Sequence, residues 1–351
     1  MHNMIETDAL VIGAGPVGLF QVFQLGLLEI RAELVDSLPY AGGQCIELYP
    51  DKPIYDIPGV VRYTGRELVA NLLQQLKPFA PVMHLGQEVS VIEKREGGRF
   101  FVKTSKGAQF LVKAIIVAAG VGAFQPKLLK IDGLEKFLDS QLFYRADNPD
   151  SFAGKHLLIV GGDDVALDQA VQFATLGNAS SVTLLHRREV LQATPEAIAK
   201  VQALCTAGKM QFKVGQITGF NESDSQLRSV QLTDVNGETT PFAVDALLVL
   251  LGLSPKLGPV AQWGLEMARK QLLVDTEKFS TSVPGIFAVG DINTYPGKKK
   301  LILSGFHESA LAAFGAAEIV FPDKKTPLQY TTTSPRLHQL LGVDNPVAGI
   351  S

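Results

Sequence analysis

One sequence plan occurs twice in this chain: an apolar strand, a glycine turn, an apolar helix and a second strand. The first copy is "DALVIGAGPVGLFQVFQLGLLEIRAELVD" (Asp8–Asp36), the second "KHLLIVGGDDVALDQAVQFATLGNASSVTLLHRRE" (Lys155–Glu189). Each opens on an unbroken apolar run, the pattern of a parallel strand buried on both faces. Parallel neighbours need a crossover helix, so each copy reads as a βαβ unit. The turns begin at Gly13 and Gly161, 148 residues apart in a chain of 351. Two domains are the expectation at that length.

The segments after each copy also match. "RFFVKTSKGAQFLVKAIIVAAG" (Arg99–Gly120) alternates, turns at Lys106-Gly107 and ends in a buried strand. "LRSVQLTDVNGETTPFAVDALLVLLG" (Leu227–Gly252) does the same, with a hairpin signal at Asn236-Gly237. The strand ends near 117–124 and 246–253 are the expected crossing points. The second domain is then inserted into the first: 1–118 and 248–351 form one domain, 119–247 the other. The tail from Asp344 is expected to be loose.

The first turn, "GAGPVG" (Gly13–Gly18), is a full G-x-G-x-x-G. Its glycines permit a tight turn, close approach of backbone to a pyrophosphate, and close helix packing. The pyrophosphate then meets free N–H groups and the positive dipole end of a helix. Asp36 follows 18 residues past Gly18, where a carboxylate can bind a ribose 2′-OH. The bland alternative is a glycine turn without a ligand. The fold class expected is therefore α/β, two Rossmann-like dinucleotide-binding domains with the second inserted into the first. In the second copy, His186 stands 25 residues after Gly161, against 23 from Gly13 to Asp36, and Arg187 and Arg188 follow. Arginines there suit a 2′-phosphate and point to NADP rather than NAD; otherwise they form a solvated basic loop. A third motif, "TSVPGIFAVGD" (Thr281–Asp291), is a short strand ending in an acid, either a ligand carboxylate or a turn aspartate.

Composition narrows the classes. The formal net charge of −3 gives no global basic character for nucleic acid. Cys45 and Cys205 are too far apart in sequence for a disulfide framework, a CxxC centre or a cysteine metal site. No metal is assigned, and a reducing, cytoplasmic compartment fits. The apolar stretch Ala9–Leu28 follows Glu6 and Asp8 without a basic region, and contains Gly13, Gly15, Pro16 and Gly18. It is a turn and helix rather than a signal or anchor.

These features together resemble two-dinucleotide-binding flavin reductases, and more narrowly the thioredoxin-reductase-like class of ferredoxin/flavodoxin–NADP⁺ reductases. The resemblance runs nearly end to end, on "GAGPVGLF", "GGQCIELYPDKPIYDIPG", "HRRE", "LGPVAQWGL", "VPGIFAVGDINTYPGKKKLILSGFHE" and "YTTTSPRLHQLLGV". Thioredoxin reductases carry a CxxC before the second turn. Here that stretch, "QLFYRADNPDSFAGK", has no cysteine, so dithiol relay is excluded.

The resemblance implies FAD and NADP(H) as cofactors, hydride transfer to the flavin, and single-electron delivery to ferredoxin or flavodoxin. No acid–base catalytic residue is required. It implies that Gly13, Gly15, Gly18 and Asp36 bind FAD, with Asp36 on the adenosine ribose. Gln44 and Val89 hold other parts of it, Tyr49 stacks on the isoalloxazine, Phe124 lies against the flavin or adenine, and Asp291 meets the ribityl–phosphate side. Tyr330 and Thr332 return to the ring as a second stacking and a hydrogen-bonding partner, in a segment that in this class can come from the other subunit of a homodimer. The tyrosines taken alone would be ordinary packing or loop residues. Gly161, Gly162, Asp164, His186, Arg187 and Arg188 form the NADP side. "GKKK" (Gly297–Lys300) and Lys324-Lys325 are candidate docking charges, or simply solvated ones.

The family's NADP turn reads G-G-G-D-S-A, and this chain reads Gly161-Gly162-Asp163-Asp164-Val165-Ala166. Asp163 replaces a glycine, Val165 a serine, and Leu191-Gln192 stand where an aromatic and an arginine are usual. A carboxylate about 5 Å from a phosphate charge, at an effective dielectric of about 20, costs on the order of 3 kcal/mol. As a helix N-cap, Asp163 would instead stabilise the domain by roughly 0.5–2 kcal/mol. The competing reading is an FAD-containing electron carrier or binding protein with a degraded nicotinamide site.

Overall fold

The computed structural model describes residues 4–146, 149–324 and 330–343. The principal elements in chain order are β1 (Ala9–Ile12), α1 (Pro16–Leu27), β2 (Ala32–Val35), α2 (Gly65–Gln75), β3 (Met83–His84) and β4 (Ala114–Val117). Then come β5 (Leu142–Phe143), β6 (His156–Gly161), α3 (Asp164–Leu176), β7 (Ser181–His186), α4 (Pro195–Thr206), β8 (Gln211–Val214) and β9 (Ala246–Leu250). β10 (Ile286–Ala288), α5 (Ile302–Val320) and α6 (Pro335–Leu341) complete them. The chain forms two compact units, Met1–Ala123 with Pro255–Ser351, and Phe124–Ser254.

The first unit is built on a parallel sheet of order β10-β4-β1-β2-β3. Its strands β1, β4 and β10 are buried on both faces, and alternate residues enter different cores. Ala9, Val11, Ala114 and Ile116 pack with α1, α2 and α5. Leu10, Ile12, Ile115 and Val117 pack against a second sheet carrying Phe100, Val102, Phe110 and Val112. The chain moves outward from β1 to β3, then returns to place β4 on the other side of β1. That reversal is the crevice where open α/β sheets bind ligands.

The second unit repeats the plan, with a parallel sheet of order β5-β9-β6-β7-β8. One face packs Leu157 and Ile159 on α3 and α4. The other packs Leu158 and Val160 on an antiparallel sheet carrying Ile217, Val230 and Leu232. Both expected turns close antiparallel strands at positive φ, Gly107 at 89° and Gly237 at 84°. The fold is thus a pair of Rossmann-like domains, one inserted in the other.

The units change over at 123/124 and 254/255, several residues past the expected boundaries at 118/119 and 247/248. β4 and β9 end at Val117 and Leu250, but the chain then runs through a two-stranded ribbon, Ala123–Pro126 with Leu253–Lys256. Apolar patterning marks where a strand ends, not where such a ribbon divides. Ala9–Leu28 is β1 and α1, and among the described residues no helix is long and apolar enough to cross a membrane.

Candidate functional site

The glycines of the first turn are of two kinds. Gly13 has φ +112°, and a Cβ there would stand 2.3 Å from the carbonyl oxygen of Ala118. A Cβ on Gly18 would stand 1.8 Å from the carbonyl oxygen of Gly13. Both are required by packing. Gly15 has nothing within 4 Å of an added Cβ. It is the N-cap of α1, in extended conformation, with no side-chain cap and no acid in the first turn. A bare helix N-terminus facing open space is a cradle for a pyrophosphate.

Asp36 directly follows β2, beside this turn. Its carboxylate accepts from the N–H of Ala14 at 2.5 Å and of Leu38 at 2.7 Å. Burial raises its pKa above the ordinary value, opposed by those two hydrogen bonds. Gln44 opens the one-turn helix Gln44–Glu47, and its Nε2 donates to Asp291 Oδ2 at 3.2 Å. Two predicted residues 247 positions apart are thereby brought together. Cys45 is buried, and its Sγ donates to Tyr49 Oη at 3.6 Å. Burial and this contact hold the Tyr49 phenol well above its ordinary pKa.

Val89 opens a strand and its side chain is in the core, so only its backbone remains for a ligand. Phe124 lies in Ala123–Pro126, with its side chain outside the described residues. Tyr330 is 68% exposed, and Thr332 sits in an exposed helical turn. The following helix, α6, is tied to the far end of α1 through Arg336 and Glu29 (2.9 Å). Among the described residues, no hydrogen bond or ion pair joins Tyr330 or Thr332 to Gly15, Gln44 or Asp291.

In the second turn Gly161 and Gly162 are both packing positions. Added Cβ atoms would stand 2.5 Å from the carbonyl oxygen of Leu250 and 2.4 Å from the His186 ring, respectively. His186 Nδ1 meets the carbonyl of Arg188 at 2.9 Å. Asp163 occupies the N-cap of α3, the place Gly15 holds in α1, and its Oδ1 accepts from the N–H of Ala166 at 3.1 Å. The capping role foreseen for Asp163 is realised, and its carboxylate occupies the N–H of Ala166 at this helix end. Asp164 Oδ1 accepts from both N and Oγ1 of Thr194, at 2.7 and 2.8 Å. Gln192 N donates to the carbonyl of Gly162 at 2.7 Å. The basic loop is thus pinned to the turn at two points. Arg187 and Arg188 are exposed, and neither forms an ion pair among the described residues.

Thr194 and Gln192 were not anticipated as site residues. Thr194-Pro195-Glu196 does carry a helix-start signal, and Thr194 is the N-cap of α4, but its bond to Asp164 is invisible in the sequence. The lysine cluster needs correction. Lys298 is withdrawn into a buried ion pair with Glu308 and offers no docking charge. Lys299 and Lys300 are exposed. Lys324 pairs at 3.9 Å with Glu29, and Lys325 and the tail from Asp344 lie outside the described residues. No cluster able to hold a metal occurs among the described residues.

A family model described as pyridine nucleotide-disulphide oxidoreductase matches residues 7–315. The chain belongs to the pyridine nucleotide-disulphide oxidoreductase family. It is similar to a protein named ferredoxin–NADP reductase from Albidiferax ferrireducens, 66% identical over 348 residues, covering 99% of this chain and 98% of that one. It is similar also to one of the same name from Polaromonas naphthalenivorans, 65% identical over 345 residues, covering 98% and 94%. Among solved structures, Lactococcus lactis thioredoxin reductase matches with a TM-score of 0.58 and 26% identity, covering 90% of this chain and 99% of that one. Among the described residues both cysteines, Cys45 in the first unit and Cys205 in the second, are free.

Proposed function

We propose that this chain is an FAD-dependent ferredoxin–NADP⁺ reductase, exchanging electrons between NADP(H) and ferredoxin or flavodoxin without a redox dithiol. The observation that carries the reading is the second glycine of the first turn. Gly13 and Gly18 are closed in by backbone, while Gly15 opens onto free space at an uncapped helix end. The relatives' shared name agrees with it.

FAD fits the residues of the first unit. Gly13, Gly15 and Gly18 would admit its pyrophosphate, and Asp36 its adenosine ribose. Gln44 and Asp291 would hold the polar chain, Tyr49 would cover the ring, and the backbone of Val89 would hold another part of the cofactor. The chemistry supplied by bound FAD is acceptance of a hydride from NADPH and single-electron return to an iron–sulfur or flavin carrier. The protein's part is binding, orientation and exclusion of water. Tyr49 stays a neutral phenol throughout the physiological range, since its pKa is raised.

Gly161, Gly162, Asp164, His186, Arg187 and Arg188 would form the NADP side. Gly162 lets His186 lie against the turn, Asp164 holds the loop through Thr194, and the two arginines would meet the 2′-phosphate. The Arg187→Ala, Arg188→Ala double variant is expected to lose about tenfold in NADPH affinity or more, as loss of charged hydrogen bonds implies. Its NADH affinity should be unchanged, and parallel titrations with the two nucleotides read the difference.

Tyr330 and Thr332 would cover the flavin of a second copy, in a homodimer. Tyr330's exposure, and the anchoring of α6 at the far end of α1, support this. Two free cysteines support a cytoplasmic setting. The second reading, an electron carrier with a degraded nicotinamide site, is favoured by the Asp163 cap. Anaerobic mixing with NADPH separates the two. Rapid bleaching of flavin absorbance is expected; absence of bleaching at millimolar nucleotide leaves the carrier reading.

A further inference from the structure

Glu308, in the second turn of α5, is fully buried. Its Oε2 accepts from the N–H of Gly290 at 2.7 Å and from Asn293 Nδ2 at 2.9 Å. Its Oε1 accepts from Tyr295 Oη at 2.9 Å and from the ammonium of Lys298. Lys298, its side chain only 5% exposed, also donates to the carbonyl of Gly290 at 2.9 Å. Gly290, at φ +79°, is therefore gripped by both of its backbone polar groups, one by each member of an ion pair. Burial and the bond to Glu308 push the Tyr295 hydroxyl up to about 12, so it remains a donor.

A pair so removed from water is a weak source of net stability, because desolvation offsets the attraction. An apolar pair would fill the space as well. It would not hold a backbone residue by N–H and C=O together, nor place two cancelling charges beside the next residue, Asp291. We propose that Glu308 and Lys298 are positioning residues of the FAD site: they fix the Gly290–Asp291 turn that presents Asp291 to Gln44, and their charges balance beside the flavin. This rests on the reading that Asp291 stands at FAD.

The test uses the flavin-loaded protein and the variants Glu308→Gln, Lys298→Met and their combination. Two quantities are read: the FAD dissociation constant and the flavin midpoint potential. Each single variant is expected to weaken FAD retention about tenfold or more, as expected when one partner of a buried charged pair is removed. Glu308→Gln leaves the ammonium alone and should raise the potential, because reduction adds electrons to the flavin nearby. Lys298→Met leaves a carboxylate still held by three donors and should lower it. The double variant should return towards the wild-type potential while FAD remains weakly held.

A purely structural role would not move the potential in opposite directions. Shifts of one sign, or none, overturn the charge balance, and unchanged FAD retention overturns the positioning. Should one single variant not fold, the other still tests the sign of its own shift against the double variant, and the double variant, which leaves no unpaired charge, still tests FAD retention. A wild-type chain that retains no FAD overturns the assignment of the site and this inference with it. A wild-type chain that retains FAD, with variants indistinguishable from it, overturns this inference alone.

Discussion

Asp163→Gly is expected to tighten NADPH binding by up to about a hundredfold, with FAD content unchanged. The carboxylate caps α3 and covers the N–H of Ala166, so a phosphate arriving there meets both a like charge and an occupied donor. A repulsion on the order of 3 kcal/mol corresponds to roughly that hundredfold. It is an upper bound, because a side chain added at Gly252 would meet both Asp163 Oδ2 and Lys127 Nζ at 3.9 Å. A cation is therefore near enough to offset part of the field. Glycine is itself a tolerated N-cap, so the change should cost only a few tenths of a kcal/mol in stability. Asp163→Asn keeps a capping oxygen and removes the charge. If charge dominates, it should recover most of the gain; if blocking of the Ala166 N–H dominates, it should recover little. Calorimetric titration of NADPH into the three proteins at low and high salt reads this, and an unchanged affinity in the glycine variant would refute the account.

What the sequence made legible is what depends on local pattern. The unbroken apolar runs at β1 and β6 predict strands buried on both faces, and alternate residues do enter two cores. Glycines at Gly107 and Gly237 mark hairpins because only their backbone takes positive φ cheaply. Asp163 was recognisable as a cap from its place before a helix. What was not legible depends on partners distant in the chain. "GKKK" reads as a solvated run, yet Lys298 is drawn inward by Glu308, ten residues on and unremarkable in "GFHES". Asp164 looks like part of an anion site, while its carboxylate is spent on Thr194, 30 residues away. Tyr330 and Thr332 read as residues that return to a ring, yet both stand exposed.

Gly15→Ala and Gly18→Ala are expected to fail in opposite ways. At Gly18 the new methyl carbon would lie 1.8 Å from one backbone oxygen and 3.4 Å from the Ala118 side chain. Backbone cannot yield as a flexible side chain does. The variant should lose about 3 kcal/mol or more, seen as a melting temperature lowered by roughly 6–12 °C with or without FAD. At Gly15 the methyl meets nothing, and φ −69°, ψ 177° suits alanine. A slightly poorer cap is balanced by a less flexible unfolded chain, worth about 0.4–1 kcal/mol, so the flavin-free protein should melt within about a degree of wild type. That methyl stands where the pyrophosphate must approach, and crowding of about 1–3 kcal/mol should weaken FAD binding by roughly 5- to 150-fold. Thermal melts of stripped and reconstituted protein, with FAD titrations, separate the cases. If Gly15→Ala binds FAD as the wild type does, the cofactor does not lie over this turn. If Gly18→Ala melts as the wild type does, the turn relaxes in a way its packing does not foretell.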